Sequence, residues 1–291
     1  MRITVCASQD LPACLALNRL VPALSGHHVQ VLLSHLAPPP ETAHGPLARL
    51  RAFERDVPNE VLFPALDRAP EPSGRTLTFH HLSRRHGFPL HPVRQINAGD
   101  GLGLLESFHP DLVVAIRFGH PFRAPALRVP QLGTVQLHAG ELPRHAGPFG
   151  PFRALLEGAS SLGCPVHLVD GERVDSGPLL AMPRLPVDQR HSLAWHVVHA
   201  YPLGVQALLE CLGRMAAGEL LPVRPQYGPR HLQGLPGDVE LADFSERGWR
   251  LVDPSDYADF LRPFASPDPE PHATPSGYGP AAPATATEAL G

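Results

Sequence analysis

The stretch VQLHAGELP, Val135 to Pro143, sets a carboxamide and an imidazole two residues apart inside an otherwise apolar run. Side chains alternate across a strand, so Gln136 and His138 project from one face while Val135 and Leu137 project from the other. In an open parallel sheet, ligands bind beyond the carboxyl ends of the strands, and His138 stands where this strand gives way to A-G-E-L-P. A carboxamide N–H aimed there can stabilise an oxyanion, and an imidazole can move a proton. The pair alone carries little weight, because a histidine at a strand end is more often a hydrogen-bonded structural residue.

A second stretch, VDGERVDSGPLL from Val169 to Leu180, is a polar loop between two apolar runs and holds Asp170, Glu172 and Asp175. Its plain reading is a hydrophilic connection with Asx-type turns. The acidic spacing does not match a calcium-binding EF-hand loop.

Taken in order, Q-L-H-A-G-E-L-P, G-P-F-G-P-F-R-A-L-L-E-G, G-C-P-V-H-L-V-D and V-D-S-G-P-L-L resemble the catalytic core of the folate-dependent formyltransferases. That family includes glycinamide ribonucleotide transformylase and methionyl-tRNA formyltransferase. Its signature is Asn-x-His followed by Leu-Pro, with an Asp-x-Gly further on. The resemblance spans Met1 to Gln226 and includes an Ile-Arg-Phe-Gly strand end, Ile116 to Gly119. It implies a Rossmann-like α/β fold with a mostly parallel central sheet. It also implies transfer of a formyl group from 10-formyltetrahydrofolate to an amine through a tetrahedral intermediate.

By the same resemblance, His138 and Asp175 match the catalytic histidine and aspartate, and Gln136 occupies the asparagine position. The folate would lie against Arg117, Phe118 and Gly119, with His120 beside them, and against the loop that begins at Val169 and Asp170. Arg144 would face substrate, and Arg144 and Arg153 could pair with an acceptor's carboxylate or phosphate, although an exposed surface arginine is the default for both. His167 could join the network of Asp175 or serve structure alone.

Gln136 departs from the pattern. Its extra methylene moves the N–H by about 1.5 Å, whereas catalytic donors must lie within roughly 0.5 Å of productive geometry. Either the surroundings compensate, or the reaction has drifted to hydrolysis or other C–N or C–C chemistry. A non-catalytic binding protein is the third alternative.

These residues need elements to hold them. RITVCAS (Arg2 to Ser8), LPACLALNRLVPAL (Leu11 to Leu24) and HVQVLLS (His28 to Ser34) open a βαβ unit. No G-x-G-x-x-G lies between the first strand and helix. Pro38 to Arg75 reads as loop-rich around a weak helix, Pro46 to Arg55. Strands are expected at Pro89 to Arg94, Asp111 to Phe118, Gly133 to Gly140, Cys164 to Asp170 and Pro178 to Val187. Helices are expected at Gly101 to Phe108, Phe149 to Gly158 and Leu193 to Ala217. Residues 1–226 form the expected catalytic domain. A small extension, 227–264, would hold two short helices around a strand-like GWRLV. The Pro/Ala/Thr-rich tail, 265–291, lacks apolar bulk and is expected to be disordered.

Composition narrows the classes. The 291 residues are 43% apolar and 18% charged with a formal net charge of -4, ordinary for a globular chain and no attraction for nucleic acid. Every basic side chain among the 24 is arginine and 36 residues are proline, a composition bias more than a chemical signal. The four scattered cysteines predict buried thiols, with neither a disulfide framework nor a zinc site. MRITVCASQD does not read as a signal peptide, and no apolar run reaches membrane-spanning length. The expected setting is cytoplasmic, with a small-molecule amine and folate as partners and no nucleic acid or membrane. Monomer and homodimer stay open.

Overall fold

The computed structural model describes residues 1–34 and 45–266. APPPE and most of the tail expected to be disordered lie outside them. Strand β1 (Arg2–Ser8) leads into helix α1 (Leu11–Ala23), and β2 (His28–Ser34) returns parallel to β1 with Arg2 opposite His28. Helix α1 starts where it does because the Asp10 carboxylate accepts the Ala13 N–H at 2.8 Å and Pro12 needs no N–H partner.

The segment expected to be loop-rich is instead helical from 45 to 67: α2 (Gly45–Arg51) continues through π-helical turns into α3 (Phe63–Asp67). Burial of Leu47, Leu50 and Phe63 overrides the weak local signal. Next come α4 (Phe79–His86), not foreseen in the sequence, β3 (Leu90–Val93), α5 (Gly99–Phe108), β4 (Leu112–Ile116), α6 (Ala124–Leu127), β5 (Thr134–Leu137) and α7 (Gly150–Leu156). Short strands β6 (Ser161–Gly163), β7 (Val166–Leu168), β8 (Leu179–Ala181) and β9 (Arg184–Pro186) precede the long α8 (Leu193–Ala216). Two helices, α9 (Asp238–Glu246) and α10 (Pro254–Ala265), follow.

The seven-stranded sheet has the order β3-β2-β1-β4-β5-β7-β8, parallel from β3 to β5 and antiparallel at β7 and β8. Chain order reverses between β1 and β4, which opens a crevice at the carboxyl ends of these strands. One apolar cluster, around Ile3, Val114, Val135 and Leu137, packs against α1 and α8; a smaller one, around Cys6, Val113 and Ala115, lies with α5 and α6.

Two expectations need correction. The return strand Pro178 to Val187 is broken: Pro183 cannot donate to a ladder, its carbonyl accepts the Cys164 N–H at 2.9 Å, and β9 leaves the main sheet to pair with β6. GWRLV is not a strand. The carbonyls of Arg250 and Leu251 instead accept the N–H groups of Leu193 and Ala194, which the first turn of α8 leaves unpaired. Phe244, Trp249, Phe260 and Phe264 join the same core as the sheet, and Phe244 stacks on Phe152 at 4.5 Å.

Candidate active site

Strand β5 is half apolar and half polar by design of its pleat. Val135 and Leu137 are buried in the core, and Gln136 turns to the other face, paired across the sheet with Ala115 on β4 and His167 on β7. His138 lies one residue past the strand, where its N–H reaches the Pro165 carbonyl at 3.1 Å. A cavity of about 530 Å³ opens beside them, lined by Gln136, His138, His167 and Asp175, a size that suits a small-molecule ligand.

Asp175 is the hub. Gln136 Nε2 donates to its Oδ1 at 2.7 Å, and the Gly147 N–H donates to its Oδ2 at 2.8 Å. His138 Nδ1 lies 3.5 Å from Oδ2 and His167 Nε2 lies 3.6 Å from Oδ1. Burial pushes the carboxyl up, but His138, His167 and the Gly147 N–H outweigh it and hold Asp175 below the usual carboxylate range. An ionised carboxylate only accepts, so the Gln136 atom that faces it is the amide nitrogen. That nitrogen carries two hydrogens, of which this bond uses one, and Gln136 lines the cavity. The additional methylene of glutamine is what lets the amide reach the aspartate.

His138 Nε2 donates to the His145 carbonyl at 2.8 Å, which leaves Nδ1 toward Asp175. Gly140 makes this possible. Its φ is 141°, and a Cβ there would come within 2.9 Å of both His138 Nε2 and the His145 oxygen.

Among the described residues, four non-glycine residues have positive φ, and three of them, Arg117, Phe149 and Asp175, line the cavity. Each such conformation costs of order 1–3 kcal/mol and persists where its surroundings enforce it. Arg117 ends β4 with φ 55°, and its guanidinium binds Asp10 at 2.9 Å and Glu54 at 2.7 Å. Burial pushes the Glu54 carboxyl up despite the guanidinium beside it. Both acids and the guanidinium line the cavity.

The two segments read as a ligand cradle, at Arg117, Phe118 and Gly119 and at Val169, both line the cavity, and so does His120. His120 Nε2 is buried without a partner, as a polar atom awaiting a ligand would be. Asp170 is not in the lining. Neither is Arg144, which pairs with Glu157 at 2.8 Å on the surface. Arg153, read as exposed by default, is buried and meets Glu240 at the α9 end of the molecule. Asp10 and Glu54 escaped the sequence reading. Asp10, at the end of β1 on the switch point, carried a signal that could have found it; Glu54 carried none.

All four cysteines are buried free thiols. Among the described residues, no helix is long and apolar enough to cross a membrane and no His/Cys/Asp/Glu group could hold a metal ion.

Residues 74–197 match the Formyl transferase family. Methionyl-tRNA formyltransferase of Halorhodospira halophila is 30% identical over 202 residues, 68% of this chain and 64% of that protein. The enzyme of the same name from a Synechococcus strain is 31% identical over 150 residues, 51% and 46% of the two chains. The chain thus spans about half the length of the curated relatives it matches. Among solved structures, glycinamide ribonucleotide transformylase 1 from Symbiobacterium toebii superposes with a TM-score of 0.54 at 18% identity, over 77% of this chain and 93% of that one. A sugar N-formyltransferase from a Shewanella species gives 0.53 at 14%, over 90% and 87%. At these identities the structural likeness speaks for the fold.

Proposed function

The chain belongs to the formyl transferase family through residues 74–197, and on that premise we propose that it moves a formyl group from 10-formyltetrahydrofolate to a small-molecule amine. The observation that carries this reading is the Gln136–Asp175–His138 cluster at the carboxyl edge of β5, facing a ligand-sized cavity. Arg117 to His120 and Val169 would hold the folate, which supplies an activated formyl carbon. Gln136 would direct its second N–H to the oxyanion that builds as the amine adds to that carbon. Asp175, ionised, would orient the attacking amine by accepting its N–H, and the proton that the amine sheds would pass along Asp175 and His138 to the departing folate nitrogen. The products balance as a formamide and tetrahydrofolate.

Hydrolysis is the second reading, because the Asp175–His138 pair that faces the cavity could activate a water as well as an amine. Incubation with 10-formyltetrahydrofolate and a panel of neutral, cationic and phosphorylated amines separates the readings. Tetrahydrofolate released only with an amine supports transfer, formate released without one supports hydrolysis, and neither would sink both.

A further inference from the structure

Beyond the core, residues 221–236 run as a proline-punctuated strap, LPVRPQYGPRHLQGLP from Leu221 to Pro236, with little burial of its own. Its hydrogen bonds to the rest of the molecule run to β8 and to the two loops that build the Asp175 site. Arg224 exchanges backbone hydrogen bonds with Leu179 at 2.8 and 2.9 Å, which anchors the start of the strap to β8. Gln226 Nε2 then donates to the carbonyl of Asp175 at 3.1 Å and to that of Gly177 at 2.6 Å. Arg230 donates to the carbonyl of Val174. The Gln233 N–H reaches the Ala146 carbonyl at 3.3 Å, and Leu232 bridges Ala146. Gly147, the next residue, is the backbone donor to Asp175 Oδ2. A Cβ at Gly147 would lie 2.7 Å from the Gln233 oxygen, so strap and loop are in direct backbone contact.

One segment therefore grips both the loop that carries Asp175 and the loop that supplies the Asp175 backbone donor. Asp175 has φ 51°, a left-handed conformation that a non-glycine residue keeps only where its neighbours enforce it. The carboxamide of Gln226 holds the carbonyl of Asp175 itself and the one two residues on, and so spans the turn. Prolines 222, 225 and 229 restrict the strap before it docks, which lowers the entropy lost in forming these contacts.

We infer that Gln226 is a positioning residue for Asp175, fixing the turn that aims its carboxylate at Gln136 and His138, with Arg230 in support. This rests on the formyl-transfer reading for its activity readout. These bonds go to neither the Arg117 segment nor Val169, so loss of Gln226 should lower turnover more than donor affinity.

The test uses the full chain and three variants. Gln226→Met keeps the length and removes the donors. Gln226→Lys keeps donation to two carbonyl oxygens. Arg230→Ala releases Val174 from the exposed side. Since a small misplacement of a catalytic group can cost about 10²-fold, kcat for Gln226→Met should fall by at least ~10-fold, with KM for 10-formyltetrahydrofolate within about twofold of the parent. Gln226→Lys should recover most of the lost kcat, and Arg230→Ala should show a smaller fall in kcat. Parental kcat in Gln226→Met, equal losses in kcat and donor affinity, no rescue by Lys, or a Met variant that fails to fold would each overturn the positioning role. A parent chain that turns over no formyl donor at all contradicts the functional reading; an active parent with indifferent variants contradicts the strap alone.

Discussion

Gln136 and Asp175, 39 residues apart in sequence, meet through a 2.7 Å hydrogen bond from the carboxamide nitrogen to Oδ1. The contact gives a physical reason for glutamine at this position. A side chain one methylene shorter, on the same backbone, would stop about 1.5 Å short of the carboxylate. The bond uses one of two amide hydrogens, so the residue can orient Asp175 and still face the cavity with a donor.

Gln136→Ala removes both contributions. Turnover of the formyl donor should drop about 10²–10³-fold, as for loss of one oxyanion donor, with donor affinity changed far less. Equal losses in the two would contradict the role. Gln136→Glu places a second carboxylate against Asp175, which raises the pKa of the introduced group. Such a group binds a proton in the folded state at pH values where the unfolded chain has lost it. Stability of this variant relative to the parent should therefore worsen as pH rises from about 4 to 7, measured by urea unfolding.

The depressed Asp175 carboxyl predicts the opposite slope for the parent. Its folded value lies below an unfolded value of about 3.9, so its ionisation stabilises the fold above that pH and the benefit is lost as pH falls below about 4. Asp175→Asn lacks this contribution. The stability gap between parent and Asp175→Asn should be full at pH 6 and shrink between pH 4 and 2. A gap independent of pH would show that the carboxylate is not held as described.

Arg117 pairs with two acids that line the cavity with it. Arg117→Met leaves both without a cation, and breaking a buried pair from one side costs about 3–5 kcal/mol; the partial exposure here puts the loss near ~3 kcal/mol. The loss should be smaller at pH 4, where Glu54, already pushed up by burial, takes a proton. Chemical denaturation at two pH values checks both the size and the direction.

Gly140→Ala tests the perch of His138. The added methyl meets Nε2 and the His145 oxygen at 2.9 Å, on a backbone with φ 141°. The variant should fold with lower stability, by about 1–3 kcal/mol, and lose at least ~10-fold in kcat as the ring leaves its carbonyl. An unchanged kcat would mean that the His138–His145 bond has no part in turnover.

Much of the sheet was legible because its strands carry their own signal. β1 and β2 alternate or run apolar over seven residues each, and the period-2 pleat alone puts Gln136 and His138 toward one side. Longer-range features were not. Pro183 splits the return strand, yet only tertiary pairing says that β9 goes to β6. Glu54 sits in a helical stretch with weak local preference, and its partner is 63 residues away. The strap is harder still: Gln226 and Arg230 act by side-chain donation to carbonyls, which leaves no periodicity to read. Arg144 shows the converse, a residue whose sequence neighbourhood pointed inward while its guanidinium settled on Glu157 outside.

Amine-dependent formyl transfer at the Gln136–His138–Asp175 cluster is checked by following tetrahydrofolate release from 10-formyltetrahydrofolate by the parent chain and by Asp175→Asn, with and without an amine panel. Release should require an amine, appear with a matching formamide, and fall by at least ~10²-fold in Asp175→Asn. Release that ignores the amine, or that survives the loss of Asp175, would contradict it.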